Sequence, residues 1–339
     1  MNNIPSIESL DDVRALLSSL PGPNDKSLNR AEEREPQLTK PPGSLGRLED
    51  LSHWLAAWQG RHPPSMDKAR AHVFAGNHGV TDRGVSAYPA AVTEQMVGNF
   101  HAGGAAINQL CKAFDIRLSV DALELDSPTA DFTEQPAMSE DETVAAMAHG
   151  MAVVEAGTDV LCLGEMGIGN TTSAAAICHA LYGGEAADWT GPGTGVEGEA
   201  MTLKIQAVGD AVKRHDGKDG LDVLMSLGGR ELAAIAGAVI AARLNAVPVL
   251  LDGYVCTAAA SVLEATVAGS LDHCQIGHVS SEPGHGRLLD QLGRRALINF
   301  EMRLGEASGA ALAVGLLKAA TACHNGMATF AEAGVSDKD

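Results

Sequence analysis

The stretch Asp159-Val160-Leu161-Cys162-Leu163-Gly164-Glu165-Met166-Gly167-Ile168-Gly169-Asn170-Thr171-Thr172-Ser173-Ala174-Ala175-Ala176 decides the fold. Its apolar run over 159–163 reads as a buried strand that stops at Gly164. The glycines make a tight loop, and Thr171, Thr172 and Ser173 are N-cap candidates for an alanine-rich helix. Strand, glycine turn and helix start aim unpaired backbone N–H groups and a positive dipole end at one point, a site for an anion such as phosphate. Glu165, in the same loop, would repel a phosphate but can handle a hydroxyl or a proton, which points to a phosphorylated sugar. The glycines follow G-x-x-G-x-G, not the dinucleotide fingerprint G-x-G-x-x-G, and no Gly-Lys-Ser/Thr follows. An ordinary βα connection has the same appearance.

Outward from this loop the pattern repeats. Strands are expected at 71–75, 116–120, 223–227, 247–251 and 274–279, and helices at 92–100, 105–113, 142–156, 231–245 and 255–268. Apolar runs ended by glycine and followed by a helix of ten or more residues mean βαβ units and a mainly parallel sheet. Ligands bind such sheets at the carboxyl ends of the strands. Those ends carry Asn77 and His78, Glu165 to Asn170, Gly228 and Gly229, and Asp252 and Gly253. Residues 126–141 read as a surface loop, and Thr190-Gly191-Pro192-Gly193-Thr194-Gly195 as a second glycine loop before a helix through Lys204. The chain ends read as helical, at 47–59, 297–303 and 308–323, and are expected to pack together beside the sheet.

Composition narrows the class. A chain of 339 residues buries a large core, as one big domain or two unequal ones. Aromatic residues are only 4 % and glycines number 38, so Ala, Val, Leu and Ile must build the core by close helix-on-sheet packing. A net charge of −19 argues against a nucleic-acid partner. The six cysteines form no C-x-x-C pair, which disfavours cysteine-based zinc and redox sites and suits a reducing cytoplasm. The longest apolar stretch, 232–251, contains Arg243, Asn245 and Pro248, against a membrane span, and the first residues lack the pattern of a signal peptide.

Some residues carry chemistry on their own. Glu306 opens an apolar helix after a glycine; held against apolar surface it would have a raised pKa and serve as a general base, or it could simply complement the helix dipole. Asp252, before Gly253 at a strand end, is placed either to bind a hydroxyl or to cap the next helix. Lys204 could meet a phosphate or be merely solvated. His78, His278 and His285 lie in loops beside glycines, but no His-Glu-x-x-His is present, so loop hydrogen bonding is expected rather than a metal. Ser86, Tyr88 and Gln95 offer a hydroxyl, an aromatic face and an amide to a flat ring, as would a routine turn.

Taken together, Thr39-Lys40-Pro41-Pro42-Gly43-Ser44-Leu45-Gly46-Arg47-Leu48-Glu49, Gly76-Asn77-His78-Gly79-Val80, Gly84-Val85-Ser86, the 164–172 loop, the 190–195 loop, Ser281-Glu282-Pro283-Gly284-His285 and Arg303-Leu304-Gly305-Glu306 resemble the nicotinate-nucleotide:dimethylbenzimidazole phosphoribosyltransferase family. The resemblance implies a Rossmann-like α/β domain over 65–295, a small helical domain from 1–64 plus 296–339, and a cytoplasmic homodimer. It implies transfer of the phosphoribosyl group of nicotinate mononucleotide to a benzimidazole-type base, with no cofactor and no metal. By position Glu306 looks like the general base. Glu165, Gly167, Gly169, Asn170, Thr171, Thr172, Gly193, Gly195 and Lys204, with Asp252 and Gly253, look like the site for the ribose phosphate. Ser86, Tyr88, Gln95 and Leu304 look like the base pocket. A phosphoribosyltransferase for another base, or a protein that only binds the mononucleotide, are the alternatives.

Overall fold

The structure, a computed structural model, describes residues 5–336. The sequence-expected helical domain includes residues 1–4 and 337–339, which lie outside the described residues. Five strands, β1 (Ala69–Ala75), β2 (Ile116–Ala122), β3 (Val160–Met166), β4 (Val249–Leu251) and β5 (Cys274–Ile276), form one sheet in the order β2-β1-β3-β4-β5. Every neighbouring pair is parallel. All carboxyl ends therefore lie along one edge, with β3 at the centre.

Side chains alternate between two layers, as the pleat requires. On one face Phe74, Leu161, Leu163, Val249 and Leu251 join the buried face of helices Glu140–Ala152, Asn170–Tyr182, Arg230–Leu244 and Tyr254–Thr266. On the other, Val73, Cys162 and Leu250 meet the helix Ser308–Gly326 and residues of Arg47–Gln59 and Ala106–Ala113. With so few aromatic residues the layers approach by shedding side chains. A Cβ on Gly150 would sit 1.8 Å from the carbonyl oxygen of Ala234, and one on Gly237 would sit 2.0 Å from that of Met147. Helices Glu140–Ala152 and Arg230–Leu244 thus touch backbone to backbone.

The chain ends meet, since helix Arg47–Gln59 packs on Ser308–Gly326 and Leu38 pairs with Thr329. Helix Leu10–Leu17 takes another seat: its buried face belongs to the layer of Arg230–Leu244, and Arg14 binds Asp219 and Asp222.

Two expected elements are different in the structure. Residues 223–227 are not a strand but the end of helix Gly220–Leu227, whose first turn is capped by the Asp219 carboxylate accepting from the N–H groups of Leu221 and Asp222 at 3.0 and 3.1 Å. Residues 297–303 are not helical: Leu297 and Ile298 donate to Ile276 and Gly277, and Ile298 and Met302 accept from Val279 and Ser281. Pairing with the chain after β5 overrides the helical spacing of the apolar residues. The strand β3 also runs on to Met166, so Gly164 and Glu165 lie within it.

Candidate active site

The glycine loop leaves β3 at Met166, turns through Gly167, Ile168 and Gly169, and enters the helix at Asn170. Gly169 itself is the N-cap, at φ +95°, a region that disfavours a side chain. Thr171, Thr172 and Ser173 therefore lie in the first turn rather than capping it. Each has a separate placement: the Thr171 hydroxyl accepts from Lys204 Nζ at 2.7 Å, the Thr172 side chain is buried, and Ser173 Oγ sits 3.1 Å from His78 Nδ1.

At the same sheet edge the segment 303–307 crosses β3. A Cβ on Gly164 would lie 2.2 Å from the backbone nitrogen of Ala307, so only glycine lets this crossing come so close. The Glu306 N–H donates to the Glu165 carbonyl at 3.2 Å. Glu306 and Ala307 both take φ +62°, a conformation costing about 1–3 kcal/mol for residues with a side chain. The strain presents the Glu306 carboxylate to the space above the glycine loop.

Glu165, Gly167, Gly169, Asn170, Thr171, Gly193, Gly253, Tyr88, Leu304 and Glu306 line one cavity of about 700 Å³. The glycine loop and Thr194 contribute polar lining; Tyr88, Val92, Met96 and Leu304 contribute apolar lining. Such a volume suits a small ligand pair rather than a macromolecule.

Six expected residues stand outside this lining, among them Thr172 and Lys204, whose side chains are buried behind it. Gln95 is exposed on helix Ala91–Ala102, whose Val92 and Met96 face the cavity instead. Ser86 braces two loops, its hydroxyl 2.9 Å from that of Thr194. Gly195 lies beyond the turn that brings Gly193 to the cavity. Asp252 is fully buried, and its Oδ1 accepts from the N–H groups of Gly309 and Ala310 at 2.7 and 2.9 Å. It caps a helix, but Ser308–Gly326 rather than the one following it, and its Oδ2 is buried without a partner. Asp252 takes the dipole of Ser308–Gly326, and Glu306, two residues before that helix, has its Oε2 buried without a hydrogen-bond partner.

The electrostatics follow from crowding acids in a dry place. Burial, reinforced by Asp252, raises the Glu306 carboxyl to about 7. Burial first, then the charges of Asp252, Glu231 and Glu306, raises Glu165 to about 8 against the opposing bond from Asn170. Glu165 is thus mainly protonated at neutral pH and removes the expected repulsion of a phosphate. Lys204 lies beneath the loop, donating to Thr171 Oγ1 and to the Gly191 carbonyl at 2.9 Å; burial lowers it to about 8, partly opposed by Glu282.

Sequence reasoning missed several lining groups. Arg303 donates to the Gly193 carbonyl at 2.7 Å, and Glu282 Oε1 accepts from the Gly193 N–H at 2.9 Å while its Oε2 is unpartnered. Their motifs were visible, but nothing in the sequence says that 193, 282 and 303 meet. Of the loop histidines, His278 lines the cavity, His285 bonds Ser280 and Thr257, and His78 pairs with Glu231 at 2.5 Å.

An anion loop and an unpartnered acid in one cavity of a parallel α/β fold define a group-transferring enzyme of the phosphoribosyl class. A phosphoribosyltransferase family model matches residues 20–335. The nicotinate-nucleotide–dimethylbenzimidazole phosphoribosyltransferases of Sinorhizobium medicae and Rhizobium meliloti are each 60 % identical, covering 97 % of this chain and 97 % and 98 % of theirs. The crystal structure of CobT from Thermus thermophilus superposes with a TM-score of 0.85 at 42 % identity, covering 92 % of this chain and 100 % of that one. The chain belongs to the nicotinate-nucleotide:dimethylbenzimidazole phosphoribosyltransferase family.

Proposed function

We propose that the enzyme transfers the phosphoribosyl group of nicotinate mononucleotide to 5,6-dimethylbenzimidazole, giving α-ribazole 5′-phosphate and nicotinate. The observation that carries the reading is the shared cavity, lined both by the glycine loop and by Glu306. One benzimidazole nitrogen attacks the anomeric carbon as the bond to the pyridinium breaks. The electron pair of that bond returns to the pyridine nitrogen and neutralises it, so departure needs no acid. The other benzimidazole nitrogen gives its proton to Glu306. Attack opposite the leaving ring inverts the centre from β to α. The helix start at Asn170, with Gly167 and Gly169, holds the phosphate, with Gly193 shaping the wall and Lys204 behind it, and remote binding energy places the carbon in line. Tyr88 and Leu304 flank the incoming ring. Incubating the protein with both substrates and following nicotinate release tests the reading; a panel of other bases, adenine and phenols included, separates it from a transferase of different acceptor.

The pKa values fix a pH profile. Glu306 gains its basic form as pH rises through about 7. Above about 8 Glu165 becomes anionic and Lys204 loses its charge, both against phosphate binding. The kcat/KM for the mononucleotide should therefore be bell-shaped with its maximum between those limits, while kcat at saturation keeps only the acid limb set by Glu306. A flat profile from pH 6 to 9 would contradict both assignments. Lys204→Met should raise KM for the mononucleotide about 10- to 100-fold, the worth of a charge-assisted contact, with kcat much less affected; steady-state kinetics with each substrate varied gives the split.

Quaternary state and location belong to the same proposal. The exposed apolar side chains of Phe300 and of Leu304 support a homodimer, which sedimentation would test. No helix among the described residues is long and apolar enough to cross a membrane, in keeping with a cytoplasmic enzyme. The packing of Arg47–Gln59 on Ser308–Gly326 supports a helical unit from the two chain ends, with helix Leu10–Leu17 seated instead on the large domain.

A further inference from the structure

Away from the catalytic cavity, the two chain ends bring together Glu35, His53, His62 and His324. Glu35 Oε2, a ring nitrogen of His53 and one of His324 all lie within 4.8 Å of one another. His324 Nδ1 is 2.6 Å from Glu35 Oε2, and His53 Nε2 is 3.6 Å from that same oxygen. His53 Nε2 is buried with no hydrogen-bond partner, aimed into the cluster. On the far side of His324, its Nε2 sits 3.1 Å from His62 Nε2.

We propose that Glu35, His53 and His324 form a binding site for one borderline divalent ion of the zinc type. Bonds of about 2.0–2.1 Å in a tetrahedron set ligand atoms roughly 3.3 Å apart, and the observed 2.6 and 3.6 Å bracket that value. The third pair, His53 to His324, lies within 4.8 Å and closes when the ion is loaded. Two imidazoles and one carboxylate leave the fourth position to water. The ion replaces the proton on His324 Nδ1; that proton moves to Nε2, where it is donated to His62, which carries its own on Nδ1. His62 is then the outer partner that fixes the tautomer.

The surroundings choose the metal. Lys40 Nζ is 2.9 Å from Glu35 Oε1 and 2.7 Å from Glu49 Oε1, and Arg30 and Arg34 lie near enough to act on His62. These positive neighbours disfavour a hard cation held by charge alone. Imidazole nitrogens favour zinc over magnesium or calcium. His53 and His62 are half-exposed and give the ion a way in. The ion would tie the turn Glu35–Gln37 and helix Arg47–Gln59 to the last turn of Ser308–Gly326, a closure between residues 35 and 324 made without a disulfide.

The test uses the whole protein, stripped with chelator and then dialysed against zinc. One zinc per chain by elemental analysis and a melting temperature raised by about 4 °C at a hundredfold excess over Kd are expected. His53→Asn should abolish both without loss of folding, because His53 Nε2 makes no hydrogen bond to lose. His324→Asn should do the same but at a lower starting melting temperature. Turnover at low temperature should survive the chelator. Substoichiometric zinc with an unmoved melting temperature overturns the proposal, as does full zinc retention in His53→Asn.

Discussion

Glu306→Gln should lower kcat by about 10²- to 10⁴-fold, the range for loss of a positioned general base, while nicotinate mononucleotide binds as before. Glutamine keeps the size of the side chain and its backbone bond to Glu165, so it fits the same strained turn. It cannot take the proton that the azole must lose. The residual rate should also lose its dependence on pH near 7, because the group responsible is gone. Rapid mixing with dimethylbenzimidazole and a separate binding titration with the mononucleotide distinguish chemistry from affinity. Near-normal kcat would remove Glu306 from the reaction.

Gly164→Ala should be almost as damaging by a different route. The new methyl would lie 2.2 Å from the Ala307 nitrogen and 2.6 Å from its Cα, contacts that neither backbone can absorb in place. Either the crossing segment lifts away from β3 or the strand bends. Both move the Glu306 carboxylate relative to the glycine loop, and an error of about 1 Å in position costs on the order of 10² in rate. Overpacking a core contact also costs about 1–3 kcal/mol, so the melting temperature should fall with the activity. Gly286→Ala is the control: it lies in a helix with nothing within 4 Å of its Cβ and should leave activity unchanged and the melting temperature level or slightly higher. Wild-type kcat in Gly164→Ala would mean that the close crossing does not place the acid.

What was legible in the sequence follows the range of the forces concerned. The β3–loop–helix unit was readable because an apolar run, glycines and an alanine-rich stretch act within eighteen residues. Residues 223–227 show the limit, since Val-Leu-Met-Ser-Leu before two glycines suits a strand or a buried helix equally. The signal that separates them is Asp219, a capping residue just before the run. Residues 297–303 carry a helical spacing, yet their backbone bonds go to 276–281, a partner no local pattern announces. The site divides in the same way. Glu306 and the glycine loop stand out by chemistry, whereas Arg303 and Glu282 acquire a place only when folding brings both to Gly193. Asp252 had a readable chemistry and an unreadable address.

The hydrogen bond from the Glu306 peptide to the Glu165 carbonyl has one more consequence. It makes the anchor of the donor and the acid facing the acceptor parts of a single rigid seam, so neither can be displaced without the other. Initial-rate patterns should then show a preferred sequence of loading, in which the nucleotide arrives first and sharpens the fit of the heterocycle that follows.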